Sequence, residues 1–501
     1  MHKNKRPKIF LYKRWSCKSR RVEIEVTVTQ LKAKSEIAID SISADFVSSH
    51  EPWVSQSWDQ IPTLVLGNIY EYLQQRDRLN ASQTCRHWRG VLFQKRFFNN
   101  FKFKLHINNE RQCIFFRQTI CNLAKEVTIK FDYLNIYHIV KVKGILYKIA
   151  RCENLQGLHF STNAVNLTPT GDKTPESRAS IEECFIDPLQ KFLNRKRFPC
   201  QILNLGSIES LGSYAVEMLK ALGNPEALEQ LMLASIKFNS KEYEVLYIEP
   251  ALLQRCSSLQ ILSLDYDSVN EDLLKALERV PLKKFLICIH SLHRQHPGIS
   301  DTSWASFGAI FPNIDLIVTV LYSLEVAEVL HVRILRHHMP ITHLRMLFCE
   351  YMNLEALDWM SVNNSNTLKS IQWLDSAFKD ADNNFMDIFL RSGQDPLVMM
   401  AWRCKNLEEI VIHGYVLDPH NIVGISRLRG QTLKRLEISM IDRTPTEASM
   451  ESFIEEINTL LGQKWAPLNP NNLHPALGYL QVSEDIRDDY VFDLIRRDLG
   501  Y

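Results

Sequence analysis

The chain has 501 residues, 45% of them apolar and 23% charged, which is too long for one ordinary hydrophobic core and too apolar for a disordered protein. With 59 basic against 57 acidic residues the net charge is +2, so no global field exists to hold nucleic acid or an anionic membrane, and no apolar run is long enough for a bilayer span. Eleven cysteines with no CxxC pair argue against a disulfide framework or a zinc site. Reduced thiols packed as small hydrophobes fit a soluble protein of the cytoplasm or nucleus.

In chain order, residues 1–55 are expected to form a basic, disordered tail, because the first 21 carry nine Lys or Arg and no acid. The run Ile9–Tyr12 is too short for a signal-peptide core. The composition meets the rules for a mitochondrial presequence and for nuclear import alike, but helical spacing gives the tail no sustained apolar face.

Residues 56–100 read as a compact set of short helices. Pro62 is expected at a first helical position, where its missing N–H costs nothing. Leu66, Ile69 and Leu73, joined by Val65 and Tyr72, recur at helical steps and predict one apolar face. The pattern breaks at Gln74–Arg76, and Asp77 is placed to cap a second helix. Ala81, Cys85, Trp88 and Leu92 predict a stripe along that helix. Helices this short bury little and imply a partner.

The order Ile61-Pro62, Leu64/Leu66/Ile69, Leu73, Asp77-Arg78-Leu79, Ala81-Ser82 and Cys85-Arg86-x-Trp88 resembles the F-box, with Ile-Pro where Leu-Pro is usual. Any small amphipathic hairpin shows apolar residues at such steps; the coincidence of Pro, Asp-Arg-Leu and Cys-Arg-x-Trp at separate offsets carries the resemblance. It implies docking to the adaptor Skp1 through Ile61, Pro62, Leu64, Leu66, Ile69, Leu73, Leu79, Cys85 and Trp88. Through Skp1 it implies a link to a cullin and RING ligase core.

Beyond this module an apolar-x-x-apolar-x-apolar phrase recurs, the strand signature of leucine-rich repeats. Clear copies are Leu155/Leu158/Phe160, Leu228/Leu231/Leu233, Leu259/Leu262/Leu264, Leu282/Phe285/Ile287, Leu407/Ile410/Ile412 and Leu433/Leu436/Ile438. Weaker ones begin at Cys200/Leu203/Leu205, Ile314/Ile317, Leu344/Leu347/Cys349, Leu368/Ile371/Trp373 and Leu477/Leu480/Val482, and Ala124/Val127/Ile129 opens the series. The period is about 20 to 29 residues, slightly stretched. Arg-Cys pairs at 151–152, 255–256 and 403–404 each stand just upstream of a copy, and their cysteines are expected to pack in the core. Helical patterns such as Glu271–Val280 and Leu324–Leu335 alternate with the strands. The expectation is an α/β solenoid over residues 101–482: a curved, degenerate leucine-rich-repeat-like array with parallel strands on its concave side, interrupted by surface loops at Asn166–Ser180 and Asp375–Asp395 and capped by a charged helix in 483–501.

No catalytic or cofactor motif emerges. Thr170–Thr174 lacks the glycines of a phosphate loop, and His290, His293 and His296 have no acidic or cysteine co-ligand in a loop marked by Pro297-Gly298. No cofactor is expected. Repeats behind an F-box resemble the F-box and leucine-rich-repeat class, which implies a non-catalytic substrate-recognition subunit of a Skp1-cullin-F-box ubiquitin ligase acting by proximity. The alternatives are a Skp1-binding scaffold without ubiquitin transfer, and an enzyme with an unrecognised site, which would need convergent perturbed titratable groups. Strand alternation nominates Gln230, Met232, Ser263, Asp265, Lys284, His413, Arg435 and Glu437 as facing an unidentified protein substrate.

Overall fold

The computed structural model describes residues 58–105, 110–133, 135–162, 167, 175–206, 208–240, 242–293, 296–376, 395–442, 447–469, 472–478 and 484–498. The basic tail, the Thr170–Thr174 segment and the Leu480/Val482 part of the last repeat copy lie outside these residues. By its internal contacts the chain divides between residues 65 and 66, inside the first helix. Among the described residues no helix is long and apolar enough to cross a membrane.

The N-terminal region is built from α1 (Thr63–Glu71), α2 (Gln75–Ala81) and α3 (Arg86–Leu92), followed by a 3₁₀ turn at Lys95–Phe98. Two expectations are corrected here. The helix expected from Asp77 to Leu92 is broken, because Cys85 adopts an extended conformation and caps α3, its Sγ accepting from the Trp88 N–H at 3.5 Å. Asp77 lies inside the first turn of α2, where Gln74 occupies the cap position.

Twelve strands follow: β1 (Asn100–Lys104), β2 (Glu126–Phe131), β3 (Gly157–Thr162), β4 (Ile202–Asn204), β5 (Gln230–Met232), β6 (Ile261–Asp265), β7 (Lys284–Ile289), β8 (Asp315–Leu321), β9 (Ile341–Leu347), β10 (Ser370–Leu374), β11 (Glu409–Leu417) and β12 (Arg435–Ile441). Each pairs in parallel with the next, so spatial order equals sequence order and the sheet does not close. Such an order results when every strand returns through a connection on one side, which is how stacked repeats bury their apolar faces. The register joins Phe101, Val127, Leu158, Leu203, Leu231, Leu262, Phe285 and Leu316 in one buried row. The cysteines at 152, 256 and 404 are buried as expected, their thiols donating to the carbonyls of Lys148, Leu252 and Ser361.

The register slips between Leu316 and Ile317, where Leu316 faces Ile341 but Ile317 faces His343. The buried rows therefore run through Val318 and Leu344, then Val320 and Met346, and the copies read from Ile317 and from Leu347 are out of phase. β8 is apolar at 316, 317, 318, 320 and 321, so it is buried on both faces and its alternation carries no phase. The array also starts one strand earlier than expected, with Phe98, Phe101 and Phe103 filling the repeat positions of β1.

The terminal cap is a second correction of place. The last strand is covered not by the charged helix but by residues 465–468: Trp465 Nε1 donates to the Leu436 carbonyl at 2.8 Å, and the Leu468 N–H donates to the Ile438 carbonyl at 2.8 Å. The charged helix forms at Glu484–Asp498 and lies instead on the sheet face opposite the connecting helices.

Candidate functional site

Two surfaces account for the nominated residues. In the N-terminal helices the inner side is made by Leu66, Tyr70, Trp88, Val91 and Leu92, all buried. Tyr70 is the hub: its hydroxyl donates to the Trp88 carbonyl at 3.0 Å, and its ring meets Trp88 and Phe97 edge-on at 6.1 and 5.6 Å. Burial pushes the Tyr70 phenol up to about 12, so it remains a donor at neutral pH. Arg78 closes the end of α1 by donating to the Tyr70 carbonyl at 2.7 Å, and its guanidinium lies over the Phe97 ring.

The nine residues implied as Skp1 contacts therefore separate by role. Leu66 and Trp88 are internal, and Cys85 is a helix cap. Ile61, Ile69, Leu73 and Leu79 are half-buried and Pro62 is exposed. Leu64 is 73% exposed. Val65 and Tyr72, which the resemblance did not nominate, are also exposed, at 48% and 75%. An exposed leucine alone is ordinary; two large apolar side chains left out on a nine-residue helix that has a formed inner side, with a third just past its end, are not.

The second surface is the sheet face turned away from the helices. Strand register puts all eight substrate nominees on it, because Gln230, Lys284, Met232, Ser263 and Arg435 sit in rows that alternate with the buried leucines. It is not open, however. Met232, Ser263, Asp265 and His413 are buried, and Gln230, Lys284, Arg435 and Glu437 are half-buried. Val491, Phe492, Leu494 and Ile495 of the C-terminal helix form one apolar cluster with Ile202, Met232, Leu286, Ile317, Leu347, Leu374 and Val411 of the sheet.

Beside that cluster runs a charged strip that the sequence reading only partly named. Arg435 grips Glu437 with two hydrogen bonds of 2.7 Å and reaches Glu409 at 2.6 Å. The His413 ring, then Arg435, hold the Glu437 carboxyl down at about 2 against burial. Arg345, absent from the nominees, is buried in the same strip, and burial lowers its guanidinium to about 10. The overlooked signal was a lone charge among apolar neighbours in ITHLRML. A further buried pair joins Lys237 Nζ to Asp265 Oδ2 at 2.5 Å with His290 Nε2 3.3 Å from the other oxygen. His296 instead meets the Val269 carbonyl at 2.9 Å, so these histidines do not converge. Among the described residues no group of three His, Cys, Asp or Glu side chains is placed to hold a metal.

A short helical module with an internally packed inner side, continued into an unclosed parallel array of strand-and-helix repeats, defines an F-box-like module on a leucine-rich-repeat array. Residues 58–104 match the F-box-like family. Relatives include human F-box only protein 33, 22% identical over 474 residues that cover 81% of this chain and 82% of the relative. Another is the sheep F-box/LRR-repeat protein 21, 22% identical over 434 residues, 82% and 89% of the two chains. Among solved structures, a chain of the yeast Rad7 and Elc1 complex is similar at 12% identity and a TM-score of 0.40, covering 86% of this chain and 96% of that one.

Proposed function

We propose that this chain is the substrate-recognition subunit of a Skp1-cullin-F-box ubiquitin ligase, binding Skp1 through its N-terminal helices and a protein substrate through the repeat array. The observation that carries this is the division of labour in and just after α1: Leu66 and Tyr70 make the module's own core, while Leu64 and Val65 on the helix and Tyr72 just past its end stay in solvent. The role needs no catalytic group in this chain, since holding a substrate near a transferred ubiquitin acts by effective concentration.

The test is binding of the purified full chain to Skp1, native against Leu64→Asp with Tyr72→Asp, both at exposed positions where folding is spared. The expected result is loss of Skp1 binding with an unchanged circular dichroism spectrum. Equal binding by both proteins overturns the docking mode, and no binding by either overturns the reading. Skp1 binding without ubiquitin transfer to any array-bound protein, once the cullin core is added, marks the chain as a scaffold.

A further inference from the structure

We infer that the sheet face turned away from the connecting helices is a groove for an amphipathic helix, that residues 484–498 are its resident ligand, and that a protein partner enters by presenting a helix of the same pattern and displacing it. The pattern is legible in the helix itself. Its first turns are mainly acidic (Glu484, Asp485, Asp488 and Asp489, with Arg487 among them), its middle carries Val491, Phe492, Leu494 and Ile495 around Asp493, and Arg496 and Arg497 stand in its last turn. The two apolar pairs lie one turn apart and so share one side of the helix.

The groove answers each part of that pattern. Its floor includes Met232, Leu286, Ile317, Leu347, Leu374 and Val411, apolar strand residues set among polar ones, which the helix keeps out of water. At its rim, Tyr322 and Phe348 end successive strands, and their rings stack at 5.6 Å. Both hold left-handed backbone, at φ 54° and 57°. That conformation is unfavourable for aromatic residues where a glycine would turn the chain freely, and strain of this kind collects at recognition sites. What these residues contribute is contact: the Tyr322 hydroxyl donates to Asp488 Oδ1 at 2.8 Å, the Arg487 guanidinium lies over the Phe348 ring, and Tyr490 meets Phe348 edge-on. At the far end of the helix Arg496 Nη2 donates to Ser161 Oγ at 3.0 Å.

The mode of attachment is that of a ligand. Among the described residues, no backbone–backbone hydrogen bond joins residues 484–498 to the sheet; side-chain contacts such as Tyr322–Asp488 and Arg496–Ser161 join them. An apolar helix face laid in an apolar groove, fixed by polar contacts at its ends, is the general helix-in-groove mode of recognition. A cavity of about 180 Å³ remains beside Tyr490, between His413, Glu437 and Leu477, and gives a bulkier side chain room at that position.

The inference rests on the adaptor reading only in treating the displacing partner as a substrate, and its experiment runs without Skp1, so the two can fail separately. A specific protease site is placed at 479–483 in the full chain, and the folded protein is cut. Fluorescent peptide 484–498 is then added and its anisotropy followed. The cut protein is expected to keep its helix through gel filtration and to exchange it for the labelled peptide at saturable occupancy. A Phe492→Ala peptide should compete at least about tenfold more weakly, as for a buried aromatic anchor. Tyr322→Phe in the protein should speed release. An unrelated peptide keeping the same order of acidic, apolar and basic positions should displace the helix, and a scrambled one of equal composition should not. With the circular dichroism spectrum unchanged, a helix that never exchanges, a groove that releases its helix and binds no peptide, or equal competition by the scrambled peptide each overturns the inference.

Discussion

Asp375 lies just past β10, buried, where its carboxylate accepts the Glu350 N–H at 3.1 Å and the Tyr415 hydroxyl. Burial raises its pKa from 3.8 to about 7, with the two hydrogen bonds opposing. Below about pH 4 the folded and unfolded chains both hold this proton, and above about 7 neither does. Between those limits only the folded chain holds it, so this group's contribution to stability falls as pH rises. At about 1.4 kcal/mol per unit, roughly 3 kcal/mol is lost between pH 5 and pH 7.5. Asp375→Asn removes the titration while keeping an acceptor for Glu350 and offering an N–H to the Tyr415 oxygen. Amide hydrogen exchange over residues 370–376 and 409–417, corrected for intrinsic rates, reads the local opening free energy directly, which suits a repeat array better than one global melting point. The native protein should lose local stability across this pH range and the variant should not. Parallel pH profiles for the two proteins refute the reasoning.

Three further outcomes are expected. Gly414 holds φ +85°, and a Cβ there would stand 2.7 Å from the Asp375 carbonyl, so Gly414→Ala should cost about 2 kcal/mol of local stability by the same exchange measurement. Arg435→Met strips Glu437 and Glu409 of their shared guanidinium and should cost about 3 kcal/mol in urea unfolding of the last repeats, most of it recovered by adding Glu437→Gln and Glu409→Gln. Tyr70→Phe keeps both ring contacts but loses the bond to the Trp88 carbonyl, and should lower the stability of the N-terminal helices by about 1 kcal/mol.

Much of the array was legible because the repeat phrase marks one side of each strand: Leu231, Leu262 and Phe285 were correctly read as core and align in register. Reading failed where both sides of a strand are apolar. In β8, Ile317 and Leu316 are indistinguishable by hydropathy, and only pairing with the neighbouring strands tells which faces the helices. The same ambiguity hid the site. Apolar residues such as Met232 and Leu286 on the expected open face signal a covering element, and the amphipathic stripe in residues 484–498 was its partner, but no local pattern states which distant segments meet. In the N-terminal module the motif was right while the roles within it were mixed, since Tyr70 is polar enough to be passed over and forms the hub of the core.

The position of residues 484–498 also sets the order in which the molecule can be completed. Ser161 and Arg496, which touch in the finished fold, are 335 residues apart along the chain. Met232 must wait for about 260 further residues before Ile495 is available, on the order of 10 to 50 s at ordinary rates of synthesis. Throughout that interval the nascent strands carry uncovered apolar residues such as Met232 and Leu286, although their pairing along the stack can proceed neighbour by neighbour. The burden on chaperones should therefore fall on this one side of the sheet and end when the last helix arrives.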